Sequence, residues 1–233
     1  HALERANDQL RILNRITRHD IRNDMNVVLG WAQELDPHVA AEGQAILDRI
    51  ERASQHVVDL TITVRDFIRT LGTEEDLTLE PTDFGDHLNR ELEKRRSLYP
   101  DATFTVVGEI PSASVRANEL LSSVFRNLLN NAVQHNDKAD PVVEVSVEAT
   151  EDTVTVRIAD NGPGIPDEQK DAVFGLSEEG LDDPAAGIGL YLVRTLVDRY
   201  GGAVTLNDNE PEGTLAVVEL PRWNGADRMA NDG

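Results

Sequence analysis

The strongest constraint on the fold is a heptad repeat in the first third of the chain. Apolar residues recur at alternating spacings of four and three over about four heptads, at Ile46, Ile50, Ala53, Val57, Leu60, Val64, Phe67 and Leu71. A looser helical pattern precedes it, from Ala2 to about Leu35. Asp36-Pro37 separates the two patterns, and the residue before a proline is disfavoured in a helix. The sequence therefore predicts two long helices joined by a short turn.

Two helices alone bury an apolar seam poorly, so we expect this helix pair to associate with a second copy. The predicted arrangement is an antiparallel helical hairpin that forms a four-helix bundle in a homodimer. Further along the chain the pattern changes to that of a mixed α/β domain. The predicted fold class is α + α/β, with a helical domain at 1–71, a linker at 72–82, an α/β domain at 83–222 and a flexible tail at 223–233.

The α/β domain is predicted to alternate helices and strands. The predicted helices lie near 83–97, 117–135 and 187–200, and the predicted strands at 103–107, 142–149, 153–159, 203–207 and 214–220. Asp83 is the expected N-cap of the first helix, and Gly201-Gly202 the expected end of the last. Residues 161–187 are rich in Gly, Pro, Asp and Glu, which predicts a long functional loop.

Composition excludes several classes of function. The chain has 43 acidic and 22 basic residues and a formal net charge of −21, which argues against a nucleic-acid-binding surface. It has no cysteine, so disulfides, thiolate nucleophiles and Cys-based zinc sites are excluded. The chain contains no apolar run long enough for a membrane span. Only three residues are lysine. Such acidic, lysine-poor sequences are typical of organisms with molar salt in the cytoplasm, so we expect a halophilic source. An ordinary acidic protein is the alternative.

His19 is the first residue with a chemical role to consider. The helical pattern predicts that its imidazole faces solvent, and Asp20 could hydrogen-bond one ring nitrogen and make the other more nucleophilic. Asn23 lies one turn further along, where its amide could hold a water molecule or a substrate oxygen. From this local pattern alone, an ordinary surface histidine is the more common interpretation.

Three further motifs lie in the α/β domain. Asn127 and Asn131 are one helical turn apart, and amide oxygens are suitable ligands for Mg²⁺, although helix-capping roles are the alternative. Asp160 ends a predicted strand and precedes a glycine turn in which Gly162, Gly164 and Ile165 could approach a flat ligand. The last motif opens a helix whose backbone N–H groups could face phosphates, at Gly187, Gly189 and Leu190.

Together and in this order, these motifs resemble the sensor histidine kinases of two-component systems. The matching segments are His19–Asn23 as the phosphoacceptor box, Asn127–Ala132 as the N-box, Asp160–Ile165 as the G1 box, Phe174 as the F-box aromatic and Gly187–Leu190 as the G2 box. The resemblance covers almost the whole chain. It implies a dimerisation and phosphotransfer domain followed by a Bergerat-type (GHKL) α/β sandwich that binds ATP.

By this resemblance, MgATP would lie between the N-box helix and the loop. Asn131 would be the Mg²⁺ ligand, supported by Asn127, and Asp160 would recognise the adenine amino group. His19 would accept the γ-phosphate with Asp20 as general base, and the phosphoryl group would pass to an aspartate of a response-regulator receiver. Asn23 would place water for the reverse, phosphatase reaction.

The resemblance also implies a longer protein. The chain begins at His1 and contains only Met25 and Met229 as methionines, so we expect it to be part of a protein with an upstream sensor domain. This portion would be cytoplasmic, whether or not the whole protein is tethered to a membrane.

The chain departs from the family pattern in several places. Asp24 replaces a common proline, Gln134 and His135 replace a basic residue and a tyrosine, and Ala185 replaces a glycine. The segment 176–186, which would form the ATP lid, has four acidic and no basic residues. Nucleotide binding is therefore predicted to need molar salt or high Mg²⁺, with Lys170, Arg126 or Arg194 as compensating charges. A degenerate kinase that acts as a nucleotide-binding dimeric scaffold is the alternative function.

Overall fold

The computed structural model describes residues 20–70, 78–175 and 184–224, and for 184–187 the backbone only. The chain divides into two compact units, 1–68 and 69–233. Each unit has its own secondary structure and is described separately. The predicted fold class, a helical region followed by a mixed α/β domain, is confirmed.

The first unit is helical. Helix α1 comprises residues 20–35, a 3-10 turn comprises Asp36–His38, and helix α2 comprises Ala41–Thr70. The turn lies at the predicted break, and Pro37 is accommodated at its start. Helix α1 continues through Asp24 without interruption. No described helix is long and apolar enough to cross a membrane.

The apolar face predicted from the heptads is exposed at its start and half-buried further along the single chain. Ile46 and Ile50 are 63% and 44% exposed, whereas the later positions are half-buried, at Val57, Leu60, Val64 and Phe67. Leu47 and Val58, which are not heptad positions, are buried. Helix α1 likewise exposes Leu35. The last seam residue, Leu71, lies outside the described residues.

The second unit combines a main sheet, a small sheet and helices. Its helices are α3 (Phe84–Leu98), α4 (Leu121–Gln134), α5 (Asp167–Lys170) and α6 (Pro184–Arg199). Its strands are β1 (Glu80–Asp83), β2 (Thr103–Val107), β3 (Ser114–Ala117), β4 (Val142–Ala149), β5 (Thr153–Asp160), β6 (Ala203–Asp208) and β7 (Thr214–Pro221). Asp83 is the N-cap of α3, as predicted, and accepts a hydrogen bond from the Asp86 N–H at 3.1 Å.

The main sheet has five strands in the order β2-β4-β5-β7-β6. The pair β2–β4 is parallel and the other neighbours are antiparallel. Alternate residues of β4, β5 and β7 are buried, and α4 and α6 pack on the sheet. This alternation is the expected pattern for a sheet with a core on one face. The core places the carboxyl end of β5, at Asp160, beside α4.

The structure corrects three predicted boundaries. Helix α4 begins at Leu121 instead of Ala117, because Ala117 belongs to β3 and the Asn118 side chain accepts the N–H of Leu120 in the turn that follows. Helix α6 begins at Pro184, three residues before the predicted Gly187, and proline is well tolerated at a first helical position. Strand β1 occupies the end of the predicted linker and pairs with β3, a small sheet that the sequence analysis missed.

The predicted end of α6 is confirmed. Gly201 has a φ of +77°, which favours glycine. The N–H groups of Gly201 and Gly202 donate to the carbonyls of Asp198 and Val197, which is a Schellman cap.

Candidate functional site

A cavity of about 290 Å³ opens beside α4 at the end of β5. Its wall is mainly apolar, which suits a flat organic ligand. The apolar lining residues include Leu128, Ala132, Ile158, Ile165, Leu190, Leu206 and Ala216, and the polar ones are Asn131, His135, Asp160, Gln169 and Thr214. Of the residues predicted for binding, the cavity thus brings together Asn131, Asp160, Gly164, Ile165 and Leu190.

Asp160 is the one carboxylate among the described lining residues. Its Oδ1 accepts hydrogen bonds from the N–H groups of Gly162 and Thr214, at 2.8 and 3.2 Å. Burial raises the pKa of this carboxyl above its ordinary value, while the two N–H donors act in the opposite direction. Two fixed donors on one oxygen hold the carboxylate plane, so that the second oxygen can accept a hydrogen bond from a ligand.

The glycines of the turn after β5 allow close backbone approach. Gly164 has a φ of +76°, and a Cβ there would lie 3.2 Å from the carbonyl oxygen of Gly213. A Cβ on Gly162 would lie 3.0 Å from Asp160 Oδ1. Both positions therefore leave little room for a side chain around the Asp160 carboxylate.

The turn between β6 and β7 contributes residues that the sequence analysis missed. Besides Thr214, Asn209 donates from Nδ2 to the main-chain oxygen of Asp160 at 2.9 Å. Gly213 has a φ of +119°, and a Cβ there would lie 1.9 Å from the same oxygen. The sequence signal available was a Gly-Thr pair at a strand start, which resembles any hairpin turn.

The two predicted asparagines of α4 have different surroundings. Asn131 is half-buried and lines the cavity. Asn127 is buried, is not among the described lining residues, and donates to the carbonyl of Ser123 at 2.6 Å. A Cβ on Gly189 would lie 3.0 Å from Asn127 Oδ1, so this glycine allows α6 to pack closely on α4.

The start of α6 and the preceding 3-10 turn form another part of the site. Gly187 lies in the first turn of α6, and Leu190 lines the cavity one turn later. Phe174 ends the 3-10 turn Ala172–Phe174 and is buried. The Arg194 guanidinium lies 5.6 Å from the centre of the Phe174 ring, a cation–π contact between α6 and this turn.

The basic residues predicted to compensate for an acidic lid are engaged elsewhere. Lys170 forms ion pairs with Asp167 at 2.5 Å and Asp208 at 2.7 Å, which raise the pKa of its ammonium group. Arg194 contacts Phe174, and Arg126 is buried. No Lys or Arg occurs among the described residues that line the cavity. Most of the lid segment, 176–183, lies outside the described residues.

A divalent cation would need ligands from more than the protein. Within residues 20–70, 78–175 and 184–224, no group of three His, Cys, Asp or Glu side chains could hold a metal ion. The Asn131 amide oxygen is a hard ligand, and Mg²⁺ commonly binds one or two protein ligands together with substrate phosphates and water. The cavity therefore fits a Mg²⁺ ion that arrives with a phosphorylated ligand.

The predicted phosphoacceptor region belongs to the helical unit. Asp20 and Asn23 are exposed on α1. His19 lies outside the described residues, so its predicted exposure stays a prediction.

Comparison with known proteins identifies relatives of the α/β unit. A profile of the histidine kinase-, DNA gyrase B-, and HSP90-like ATPase family matches residues 117–224. This range includes the whole lining of the cavity.

Relatives of the longer sequence are sensor kinases. The chain is 35% identical to the sensor histidine kinase DpiB of Escherichia coli over 47% of its own length and 21% of that protein. It is 28% identical to the sensor protein KdpD of the same organism, over 88% of the chain and 23% of that protein. The full-length crystal structure of ShkA with AMPPNP superposes with a TM-score of 0.62 at 25% identity, and covers 93% of this chain and 46% of that one. The chain spans less than a quarter of the length of both sequence relatives.

Proposed function

Since the chain belongs to the sensor histidine kinases, with a GHKL-type ATPase domain after its helical region, we propose that it transfers the γ-phosphate of ATP to His19. The phosphoryl group then passes to an aspartate of a response-regulator receiver. The same active site acts in reverse as a phosphatase on the phosphorylated regulator. The whole protein includes an upstream sensor domain, and this portion of it works in the cytoplasm.

The observation that carries the proposal is the environment of Asp160. This carboxylate lies in a mainly apolar cavity, and one of its oxygens already accepts two backbone N–H groups. The other oxygen can accept a hydrogen bond from the exocyclic amino group of adenine, and guanine lacks an amino group at the equivalent position. Apolar residues on α4, β5 and β7 would cover the faces of the base, at Leu128, Ile158 and Ala216.

Asn131 is the proposed protein ligand of Mg²⁺. It lies on the same cavity as Asp160, and its amide oxygen suits a hard cation. When bound, Mg²⁺ neutralises part of the triphosphate charge, which matters because no described lining residue is a lysine or arginine. Asn127 supports this region from within, because it anchors α4 where Gly189 of α6 packs against it.

The transfer step needs a neutral imidazole with one free nitrogen. That nitrogen of His19 attacks the γ-phosphorus, a P–N bond forms, and the bond to the β,γ-bridging oxygen breaks so that ADP leaves. Asp20 takes up the proton from the other ring nitrogen as general base. In the reverse role, Asn23 orients a water molecule toward the phosphorylated aspartate of the regulator.

The proposed assembly is a homodimer in which two helix pairs form a four-helix bundle. Ile46 and Ile50 are exposed apolar side chains on α2 of the single chain, and Leu35 is another on α1. Burial of these side chains against a second copy would remove apolar surface from water.

Incubation with γ-labelled ATP and Mg²⁺ at high salt tests the proposal. We expect an acid-labile, base-stable label that is lost in His19→Gln and in Asp160→Asn, with Glu168→Gln as an exposed control that keeps it. Nucleotide binding without any label in the wild-type chain would instead support the degenerate-kinase scaffold.

A further inference from the structure

The turn between β6 and β7 contacts the end of β5 at several points. We call residues 208–213 the hairpin tip. Within this tip, Asn209 donates from Nδ2 to the main-chain oxygen of Asp160 at 2.9 Å. The Asn209 N–H also donates to the Gly213 carbonyl at 3.0 Å, which closes the turn on itself. Thr214, immediately after the tip, donates to the Asp160 side chain at 3.2 Å.

The contact between the tip and β5 leaves no room for a side chain at Gly213. A Cβ on Gly213 would lie 1.9 Å from the Asp160 carbonyl oxygen and 3.1 Å from the Asn161 Cα. The tip therefore contacts the main chain at the peptide bond between Asp160 and Asn161. A shift of the tip would shift the carboxylate.

Two lysines from different parts of the α/β unit form ion pairs with the tip. Lys170, from α5, lies 2.7 Å from Asp208, and Lys138, from the loop after α4, lies 2.7 Å from Glu212. The chain has only three lysines, so most of them are engaged here. The carboxylates of both pairs are exposed, and ion pairs at the surface are individually weak. The half-buried Asn209 hydrogen bond is therefore the main side-chain contact between the tip and Asp160.

We propose that Asn209 is a positioning residue for nucleotide recognition, because it fixes the Asp160 main chain and thereby the direction of the free carboxylate oxygen. This inference rests on the proposed role of Asp160 as the acceptor for the adenine amino group. In this role Asn209 contacts Asp160 and not the base. It acts through Asp160 alone.

A role through Asp160 has a specific signature. Inosine triphosphate has a carbonyl where ATP has the amino group, so it gains nothing from a well-directed carboxylate acceptor. Loss of Asn209 should therefore weaken the binding of ATP and leave that of inosine triphosphate unchanged. The expected rise in the ATP dissociation constant is about three- to tenfold, the usual range for one hydrogen bond.

The test is a titration of the full chain with Mg²⁺ and either nucleotide, for wild type, Asn209→Ala and Asn209→Leu. Asn209→Leu keeps the approximate size of the side chain, removes the N–H donor and adds no charge, so it provides a second variant if the alanine variant is poorly folded. Asn207→Ala is the matched control, because Asn207 is exposed on β6 and its side chain contacts Thr205. We expect both Asn209 variants to lose the preference for ATP, and Asn207→Ala to keep it.

Equal weakening of both nucleotides in the Asn209 variants would overturn the proposal, since it indicates general damage to the cavity. An unchanged preference would also overturn it. A wild-type chain that binds ATP and inosine triphosphate equally well would contradict the role of Asp160 itself. The wild-type chain thus tests the proposed function, whereas the Asn209 variants test the role of Asn209.

Discussion

Replacement of Gly213 by alanine would place a methyl group where the hairpin tip meets β5. The new Cβ would lie 1.9 Å from the main-chain oxygen of Asp160, far inside van der Waals contact. The φ of Gly213 is +119°, a conformation that L side chains rarely adopt. Both effects act on backbone atoms, so side-chain rotation cannot relieve them.

The two effects have different magnitudes. A positive φ costs a residue with a Cβ about 1–2 kcal/mol, and overpacking of a tight contact costs about 1–3 kcal/mol more. We therefore expect Gly213→Ala to lower the free energy of unfolding of the α/β unit by about 2–5 kcal/mol. Gly108 separates the two effects, because its φ is +83° but a Cβ there would meet nothing within 4 Å. Gly108→Ala should lose only about 1–2 kcal/mol.

Urea denaturation followed by Trp223 fluorescence measures this difference. The chain has two tryptophans, and a Trp31→Phe background leaves the half-buried Trp223 as the reporter of the α/β unit. The Gly213→Ala chain should also lose ATP binding, whereas Gly108→Ala should keep it. Equal losses of stability in the two variants would refute the close approach of the hairpin tip to Asp160.

The remaining predictions concern pH and salt. Burial raises the pKa of Asp160, so the folded chain holds this proton more tightly than the unfolded chain does. The free energy of unfolding of the wild-type chain should therefore fall, relative to that of Asp160→Asn, as pH rises through the pKa of Asp160. Parallel pH profiles of the two chains in urea titrations would contradict this. Burial is the main cause that lowers the pKa of His87 below its ordinary value of 6.5, so the unfolded chain binds this proton more readily than the folded chain does. The free energy of unfolding should therefore decline as pH falls below about 6.5. This part of the decline should be absent from the His87→Gln chain. The chain is acidic, and no lysine or arginine occurs among the described cavity residues. We therefore expect ATP affinity to rise from low to molar salt, or with Mg²⁺. Unchanged or tighter ATP binding at low ionic strength, measured by calorimetry, would contradict this expectation.

Local signals made much of the fold predictable. The proline at the turn between α1 and α2, the N-cap Asp83 and the glycine pair after α6 each act on neighbouring residues, so their effects can be read from short segments. The strands of the main sheet alternate in burial, and this alternation is visible in the sequence.

Long-range contacts could not be predicted in the same way. Strand β1 contains Pro81 and acidic residues, and it becomes a strand only because it pairs with β3, more than thirty residues away. The Gly-x-Gly motif at Gly187 and Gly189 also misplaced the start of α6. The helix begins at Pro184, three residues before this motif.

The candidate site shows the same limit. Asp160 was recognisable because it ends a strand before a glycine turn, but Asn209 reaches it from 49 residues further along the chain and binds a backbone oxygen. A contact to a main-chain atom leaves no complementary side chain in the sequence to reveal it. Asn127 was similarly predicted near the phosphates, whereas its close contact with Gly189 depends on how α6 packs on α4.

The proposed reaction transfers the γ-phosphate of ATP bound beside Asp160 to His19. Mass spectrometry of the chain after incubation with MgATP at high salt, with peptides kept at neutral to alkaline pH, tests it most directly. We expect a phosphoryl group on the peptide that contains His19, at the imidazole, and none in the Asp160→Asn chain. Saturating ATP binding with no phosphoryl group on His19, or with one on another residue, would contradict it.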